Sequence, residues 1–327
     1  MSTPAERSAA SWAAERERSH IWVLHLIRWI ALGAGRPLTR WLLHPIALYF
    51  VLANGKARRA SLQYLARALG RPARLRDAYR HIHRFASTVL DRIYFLQERF
   101  DQFDIAITDG ERIRAPLQAG EGVMAVGAHL GSFEALRADA QQHGERVAML
   151  MYEDNARLIN ATLAAVAPHA SLHTIALGQP GAMLSLRHWL DEGGIAGLLA
   201  DRTLPAQSGR SRTLWFDFLG QPAPFSDGPF RLAAMLRRRM VFVTGLYHGG
   251  NRYELRFAEL ADFQDLPADA RADKREQTDQ RVREAMQRYV ALLDSLCRES
   301  PYNWFNFYDF WAAHAATPDP QAPEATP

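Results

Sequence analysis

The stretch Gly122 to Arg137, GVMAVGAHLGSFEALR, constrains the fold most. Val123, Met124, Ala125 and Val126 form an unbroken apolar run bounded by glycines, the pattern of a strand covered on both faces in a parallel sheet. Gly131 permits a sharp turn, Ser132 is a good N-cap, and Phe133 to Gln142 reads as helix until Gly144 stops it. His129 therefore falls at the carboxyl end of a buried strand and Glu134 in the first turn of the next helix. Ligands of open α/β sheets bind outside the strands' carboxyl ends, so both residues sit where chemistry usually occurs. Spacing alone is weak support, because His314 and Asp319 repeat it in a Pro/Ala-rich tail. What separates the first pair is its context of strand, glycine turn and capped helix. The plain alternative is a histidine hydrogen-bonded at a helix start where the helix dipole favours Glu134.

The rest of the chain extends this α/β pattern. Candidate strands are Val123–Ala128, Arg146–Met151, Ser171–Ala176, Ile195–Ala200, Val241–Tyr247 and Tyr253–Phe257. Helices fall between most of them, at Ser132–Gln142, Asn155–Val166, Gly181–Glu192 and Gly228–Arg239. Gly249-Gly250-Asn251 joins the last two strands as a hairpin, which makes the sheet mixed at one edge. Arg271 to Glu299 reads as a long amphipathic helix. No P-loop, dinucleotide fingerprint or internal repeat is present, which argues against nucleotide cofactors. The scattered histidines make no metal-ligand pattern, so no metal or resident cofactor is expected.

Charge divides the chain. Met1 to Phe100 holds seventeen Lys plus Arg against six acids, and the remainder twenty-two against twenty-nine. Between Arg28 and Arg84 twelve basic residues and a single acid, Asp77, interleave with Trp29, Trp41, Tyr49 and Phe50. Basic residues beside interfacial aromatics point to an anionic membrane surface. They flank long apolar runs rather than groove-sized polar elements, so nucleic acid is not expected as a partner. Ile21 to Leu32 is interrupted by His25 and Arg28, and Trp41 to Gly55 contains Pro45. Neither reaches the roughly eighteen clean apolar residues of a spanning helix, so a re-entrant hairpin or a pair of interfacial helices is expected, with Gly33, Gly35 and Pro37 as the break. Ala60, Leu62, Leu65 and Leu69, and then Ile82, Phe85, Val89, Ile93 and Leu96, form helical stripes expected in the core. The single cysteine, Cys297, rules out a disulfide framework, fits a reducing compartment and is expected in the core. The organisation expected is a polar leader (1–19), membrane-associated helices (20–55), a helical segment (56–115), an α/β domain (116–312) and a disordered tail (313–327).

Four landmarks in order resemble a known family. GAHLGSFEAL resembles the H-x4-D/E motif of the lysophospholipid acyltransferase superfamily, in the H-x4-E form of the bacterial lipid A biosynthesis (lauroyl/myristoyl) acyltransferases. GIAGLLADR before a basic loop, LWFDFLGQPAPFSDGPFRLAAMLRRRMVFV, and PYNWFNFYDFW near the end agree with the same branch. The resemblance covers roughly Ile21 to Trp311. It implies a glycerolipid acyltransferase-like, mixed and mainly parallel sheet flanked by helices. It also implies an inner-membrane enzyme, peripheral or monotopic at the cytoplasmic face, moving an acyl chain from acyl carrier protein, or coenzyme A, to a hydroxyl of a lipid acceptor.

In that reading His129 is the general base, and Glu134 orients the imidazole as the acid of a Ser-His-Asp triad does, the substrate supplying the hydroxyl. Ser132 marks a helix N-terminus suited to an anion, and Asp201-Arg202 stands at the end of another buried strand on the same rim. Arg202 departs from the branch's usual Asp-Gln; a loop salt bridge is the alternative to a role at the substrate. Arg210 and Arg212 are candidates for contact with an acidic carrier protein or the pantetheine phosphate, or are solvated loop residues. Tyr152-Glu153-Asp154 departs from the basic residue common there, which favours a less charged acceptor such as a lysophospholipid, glycolipid or polyene lipid over a phosphorylated sugar. PYNWFNFYDFW is expected to pack in the core or face the membrane, with lining of the acyl groove as the alternative. A thioesterase is disfavoured because no G-x-S-x-G elbow is present, and a non-catalytic lipid-binding protein because the His129/Glu134 pair is intact.

Overall fold

A computed structural model describes residues 33, 35–152, 173–202, 212–266 and 272–311. The leader, the first apolar segment, the expected helix Asn155–Val166, Glu153-Asp154, Arg210 and the tail lie outside the described residues.

The N-terminal part is three helices: α1 (residues 35–53), α2 (Gly55–Ala68) and α3 (Leu75–Leu96). The expected break at Gly33 to Pro37 is the start of α1, and Pro45 lies within the helix rather than ending it. Among the described residues no helix is long and apolar enough to cross a membrane. Arg36 clamps α1 to α3 by donating to both oxygens of the buried Asp91, each at 2.8 Å. Tyr253 donates to the same carboxylate at 2.8 Å, tying both helices to the sheet.

The segment 56–115 is not wholly helical. Asp104–Thr108 forms strand β1, and α4 (Glu111–Gln118) follows. β1 is short and four of its five residues are exposed, so it carries little of the apolar pattern that marks a buried strand. Then come β2 (Val123–Gly127), α5 (Phe133–Gln142), β3 (Val147–Tyr152), β4 (His173–Leu177), α6 (Ala182–Asp191) and β5 (Ile195–Leu199). A hairpin of β6 (Thr213–Phe218) and β7 (Gln221–Ser226) precedes α7 (Gly228–Leu236), β8 (Arg239–Gly249), β9 (Arg252–Asp262) and α8 (Ala272–Glu299). β6 and β7 were not expected, because prolines 222 and 224 mask a strand that pairs only with its own hairpin partner.

Seven strands form one sheet in the order β1-β9-β8-β2-β5-β3-β4. β8 and β9 pair antiparallel, as the glycine turn predicts, and β1 runs parallel to β9. The other pairings are parallel, and β2 is the central strand of the seven, with a parallel neighbour on each side. All five β2 residues are buried, and they alternate between two cores. Val123 and Ala125 face Ala135 and Ala138 of α5, while Met124 and Val126 join the core made with α6, α7 and α8. Cys297 is buried in that second core. Two stripe residues of α3 expected inside, Phe85 (39 % exposed) and Val89 (47 %), are at the surface. Phe85 stacks edge-on against Phe305 and Phe307 at 5.3 and 5.2 Å, on the side of α3 that faces the C-terminal segment.

Candidate active site

His129 follows the last residue of β2 by two positions, and Asp201 follows the last residue of β5 by two. β2 and β5 are parallel neighbours with Gly127 opposite Leu199, so equal offsets bring the two side chains to one point on the rim. Asp201 Oδ1 lies 2.8 Å from His129 Nδ1, and Oδ2 accepts from the His129 backbone N–H at 3.0 Å. Trp304 Nε1 donates to the same Oδ2 at 2.8 Å. The Asp201 side chain is 1 % exposed and the His129 side chain 30 %. Burial pushes the Asp201 carboxyl up, but the charge of His129 and the donors from His129 and Trp304 outweigh it and hold the group below the usual carboxylate range. An ionised carboxylate is acceptor-only, so the Nδ1 facing it carries a proton, and the neutral tautomer of that ring would have its lone pair on Nε2.

The turn carrying His129 is fixed from both sides. Gly131 has φ +77°, and a Cβ there would lie 2.1 Å from the Gly245 carbonyl oxygen of β8. Ser132 N–H donates to that carbonyl at 2.7 Å, and Thr244 Oγ1 donates to the Leu130 carbonyl at 2.8 Å. On the other side Gly131 N–H donates to the Asn303 carbonyl at 2.8 Å, and Phe305 N–H to the His129 carbonyl at 2.7 Å. The aromatic C-terminal segment is therefore chiefly core, as expected, with Trp304 1 %, Phe305 8 % and Phe310 1 % exposed. It also braces the histidine and its carboxylate, a role its composition does not announce.

Glu134 is placed differently from expectation. Its carboxylate forms an ion pair with Arg92 of α3 at 2.7 Å, approached off the N–H axis. Arg137, one turn further along α5, adds a second positive charge beside it, and burial pushes that guanidinium down. The contact expected between Glu134 and the imidazole is made here by Asp201. The reason is geometric: a helix-start carboxylate must turn back to reach the imidazole, whereas Asp201 leaves a neighbouring strand at the same height. Ser132 is 3 % exposed and caps α5 by accepting from Ala135 N–H at 3.3 Å. Arg202 is exposed at the rim with its guanidinium 5.5 Å from the Tyr308 ring. Arg212 lies away from His129, its backbone N–H donating to Asp227 and its guanidinium 3.8 Å from Asp279. Among the described residues no group of three or more His, Cys, Asp or Glu has the placement of a metal site.

Two adjoining apolar clefts run from this rim between α5 and the sheet. The outer one is narrow and is lined by Ala128 and Leu130 on either side of His129, with Phe133 and Leu199. The inner one shares Ala125, Phe133, Leu136 and Val243 with it and reaches Ile113 and Phe257. Gly127 and Gly197 keep the sheet side of this space bare: a Cβ at Gly197 would come within 3.2 Å of Met149 Sδ.

A part-exposed imidazole with a buried carboxylate behind it and apolar side chains beside it suits base catalysis on a group carried on a hydrocarbon chain. Among curated proteins none matches the chain. A family model described as bacterial lipid A biosynthesis acyltransferase matches residues 17–311, from the leader through the aromatic segment. The chain belongs to the family of bacterial lipid A biosynthesis acyltransferases, and the protein is an acyltransferase of lipid biosynthesis.

Proposed function

We propose that the protein moves a fatty acyl chain from an acyl thioester, acyl carrier protein being the expected carrier and coenzyme A the alternative, to a hydroxyl of a lipid acceptor at the cytoplasmic face of the bacterial inner membrane. The observation that carries this reading is the His129–Asp201 pair, with Nε2 of His129 unpartnered among the described residues. The acceptor hydroxyl gives its proton to Nε2 as its oxygen attacks the thioester carbonyl carbon. Asp201 holds the Nδ1 proton in place and stabilises the imidazolium that forms. Collapse of the tetrahedral intermediate expels the thiolate, which takes the proton from Nε2, leaving an ester and a free thiol. The apolar residues beside His129, among them Leu130, Phe133 and Leu199, mark the side from which an acyl chain would approach. Glu134, paired with Arg92, shapes the polar side of the entrance. No metal or cofactor enters any step.

A membrane site is supported by α1, where Leu38, Trp41, Tyr49 and Leu52 are all more than half exposed. Single exposed apolar residues are ordinary, but a contiguous set on one helix marks a contact surface. The acceptor is a lipid A-type or other glycolipid. A lysophospholipid or polyene lipid is the alternative, favoured by the acidic Glu153-Asp154 in place of a basic residue.

The test is an assay of the purified full chain with acyl carrier protein and coenzyme A thioesters against a panel of lipid acceptors, with His129→Ala alongside. Ester formation that needs an acceptor and falls about 10²–10⁴-fold in His129→Ala is expected. Free fatty acid release without acceptor would overturn transfer, and near-normal turnover in His129→Ala would overturn the base.

A further inference from the structure

The interface between α1 and α3 holds more positive charge than its acids balance. Arg36, Arg40 and Arg84 converge there, with Arg80 close enough to act on Arg84. The acid that faces them is Asp91, and it is already spent on Arg36 and Tyr253. Arg40 reaches it only at 4.0 Å. Among the described residues Arg84 donates to the Tyr247 carbonyl, and its guanidinium and that of Arg40 stand 5.7 and 5.9 Å from the Tyr247 ring. Burial pushes the Arg84 guanidinium down from its ordinary value.

Two imidazoles extend this cationic cluster toward the surface. His44 stacks on His83 with centroids 4.5 Å apart, and its Nδ1 lies 2.6 Å from the Tyr79 hydroxyl. His83 Nε2 and Arg40 Nη1 are buried with no hydrogen-bond partner among the described residues. Burial, then His44, Arg40 and Arg84, push the His83 imidazole down to about 4, so it is neutral at physiological pH and can donate one proton. Buried donors without acceptors, and several guanidiniums sharing one carboxylate, are costly, and an anion with several acceptor oxygens would relieve both.

The neighbourhood says where that anion comes from. Trp41, 73 % exposed, packs at 5.8 Å against His44 and leads directly onto the apolar face of α1. A bilayer lipid offers this combination of an anionic oxygen cluster next to hydrocarbon, and cations backed by aromatics are the usual protein counterpart. We propose that Arg40, Arg84, His44 and His83 bind the phosphate of a phospholipid headgroup whose acyl chains lie along the exposed face of α1. The site orients the chain on the membrane and is separate from His129. It rests on the membrane part of the proposed function and needs no acyl transfer, so binding is measured without an acyl donor.

The experiment uses the purified full chain, its partition onto phosphatidylglycerol-containing vesicles measured by flotation, for wild type, Arg40→Gln, Arg40→Lys and Arg84→Gln. Lys56→Gln and Arg59→Gln, exposed charges close to the end of α1, are the controls. A general surface field makes every lost charge equivalent, about 5-fold each. A built site makes Arg40→Gln cost about 20-fold or more, with Arg40→Lys in between because a point charge replaces the guanidinium fork. In a second arm, soluble glycerophosphoglycerol and inorganic phosphate are titrated while the His44 and His83 imidazole resonances are followed. Saturable shifts with the diester that vanish in Arg40→Gln support the site. Equal losses for Arg40→Gln and the controls, or no shift with either probe, overturn it. Tighter binding of inorganic phosphate than of the diester overturns the lipid assignment. An Arg84→Gln chain that fails to fold leaves Arg40→Gln, read beside its own melting temperature, to decide.

Discussion

Asp201 is a buried carboxylate that ties three parts of the chain together: its own strand end, the backbone and ring of His129, and the indole of Trp304. Replacing it with Asn removes the charge and lets an N–H face Nδ1, which disfavours the tautomer with a free Nε2. Asp201→Asn is expected to lower turnover by about 10²–10⁴-fold while Glu134→Gln, which loosens Arg92, lowers it less; initial rates of the two purified variants check this order, and the reverse order would return the orienting role to Glu134. His81 gives a second prediction. It is buried between Ser61 and the Trp304 carbonyl, and burial holds its imidazole at about 4. The folded chain therefore keeps it neutral where the unfolded chain, with an ordinary value near 6.5, takes a proton. Stability is complete above about pH 6.5, falls as pH drops toward 4, and this contribution levels off below that, for a loss of about 3 kcal/mol. Denaturant midpoints from pH 7 to 4 should show the slope, and His81→Gln should flatten it whatever its absolute stability. At this scale the sequence placed His129 at a strand end, because a strand, a glycine turn and a capped helix are contiguous. The pairing with Asp201 spans 72 positions and depends on which strands are neighbours. A usable signal was present: His129 and Asp201 each follow a buried strand by two residues, and neighbouring parallel strands with level ends would bring them together.

At the scale of elements, the turn between β2 and α5 depends on backbone contact with β8, which only glycine allows. Gly131→Ala would place a methyl 2.1 Å from the Gly245 carbonyl at positive φ, and Gly245→Ala one 2.5 Å from the Ser132 carbonyl. Both are expected to destabilise by more than 2 kcal/mol and to abolish activity, whereas Gly144→Ala, at φ +68° with nothing nearby, should cost about 1 kcal/mol of strain. Thermal melts of the three proteins check this; equal effects would mean that the close approach is unimportant. The central strands and their helices were legible because burial on both faces leaves continuous apolar runs. Edge strand β1 and the β6–β7 hairpin were not, since an exposed edge and proline-bearing strands lack that pattern.

For the whole molecule, the charge division along the sequence becomes a spatial one: a basic, apolar-faced helical layer on an α/β domain. The clamp from Arg36 to Asp91 shows that α1 is part of the domain's packing as well as its surface. Deleting everything before Gly55 would strand the buried Asp91 and cost stability as well as attachment. A cleaner prediction is that replacing Trp41, Leu42 and Tyr49, all exposed, with Ser releases the full chain from membranes with little change in melting temperature. High salt should weaken wild-type attachment without abolishing it, because screening removes only the charged part. Sedimentation with vesicles, with and without salt, is the measurement. Persistent membrane binding of the triple variant would remove α1 as the anchor.

The bracing of His129 by Asn303, Trp304 and Phe305 has a consequence in time. Translation runs from the basic helices toward the aromatic segment, and domains form from the N-terminal side as the chain emerges. Under the proposed function, the site around His129 would be complete only after residues 303–305 are made, so acyl transfer would begin late in synthesis. Chains truncated after Ser300 should bind vesicles as the full chain does yet transfer no acyl group, and adding a synthetic 301–311 peptide should restore part of the rate. Activity in the truncated chain without the peptide would show that the brace is dispensable.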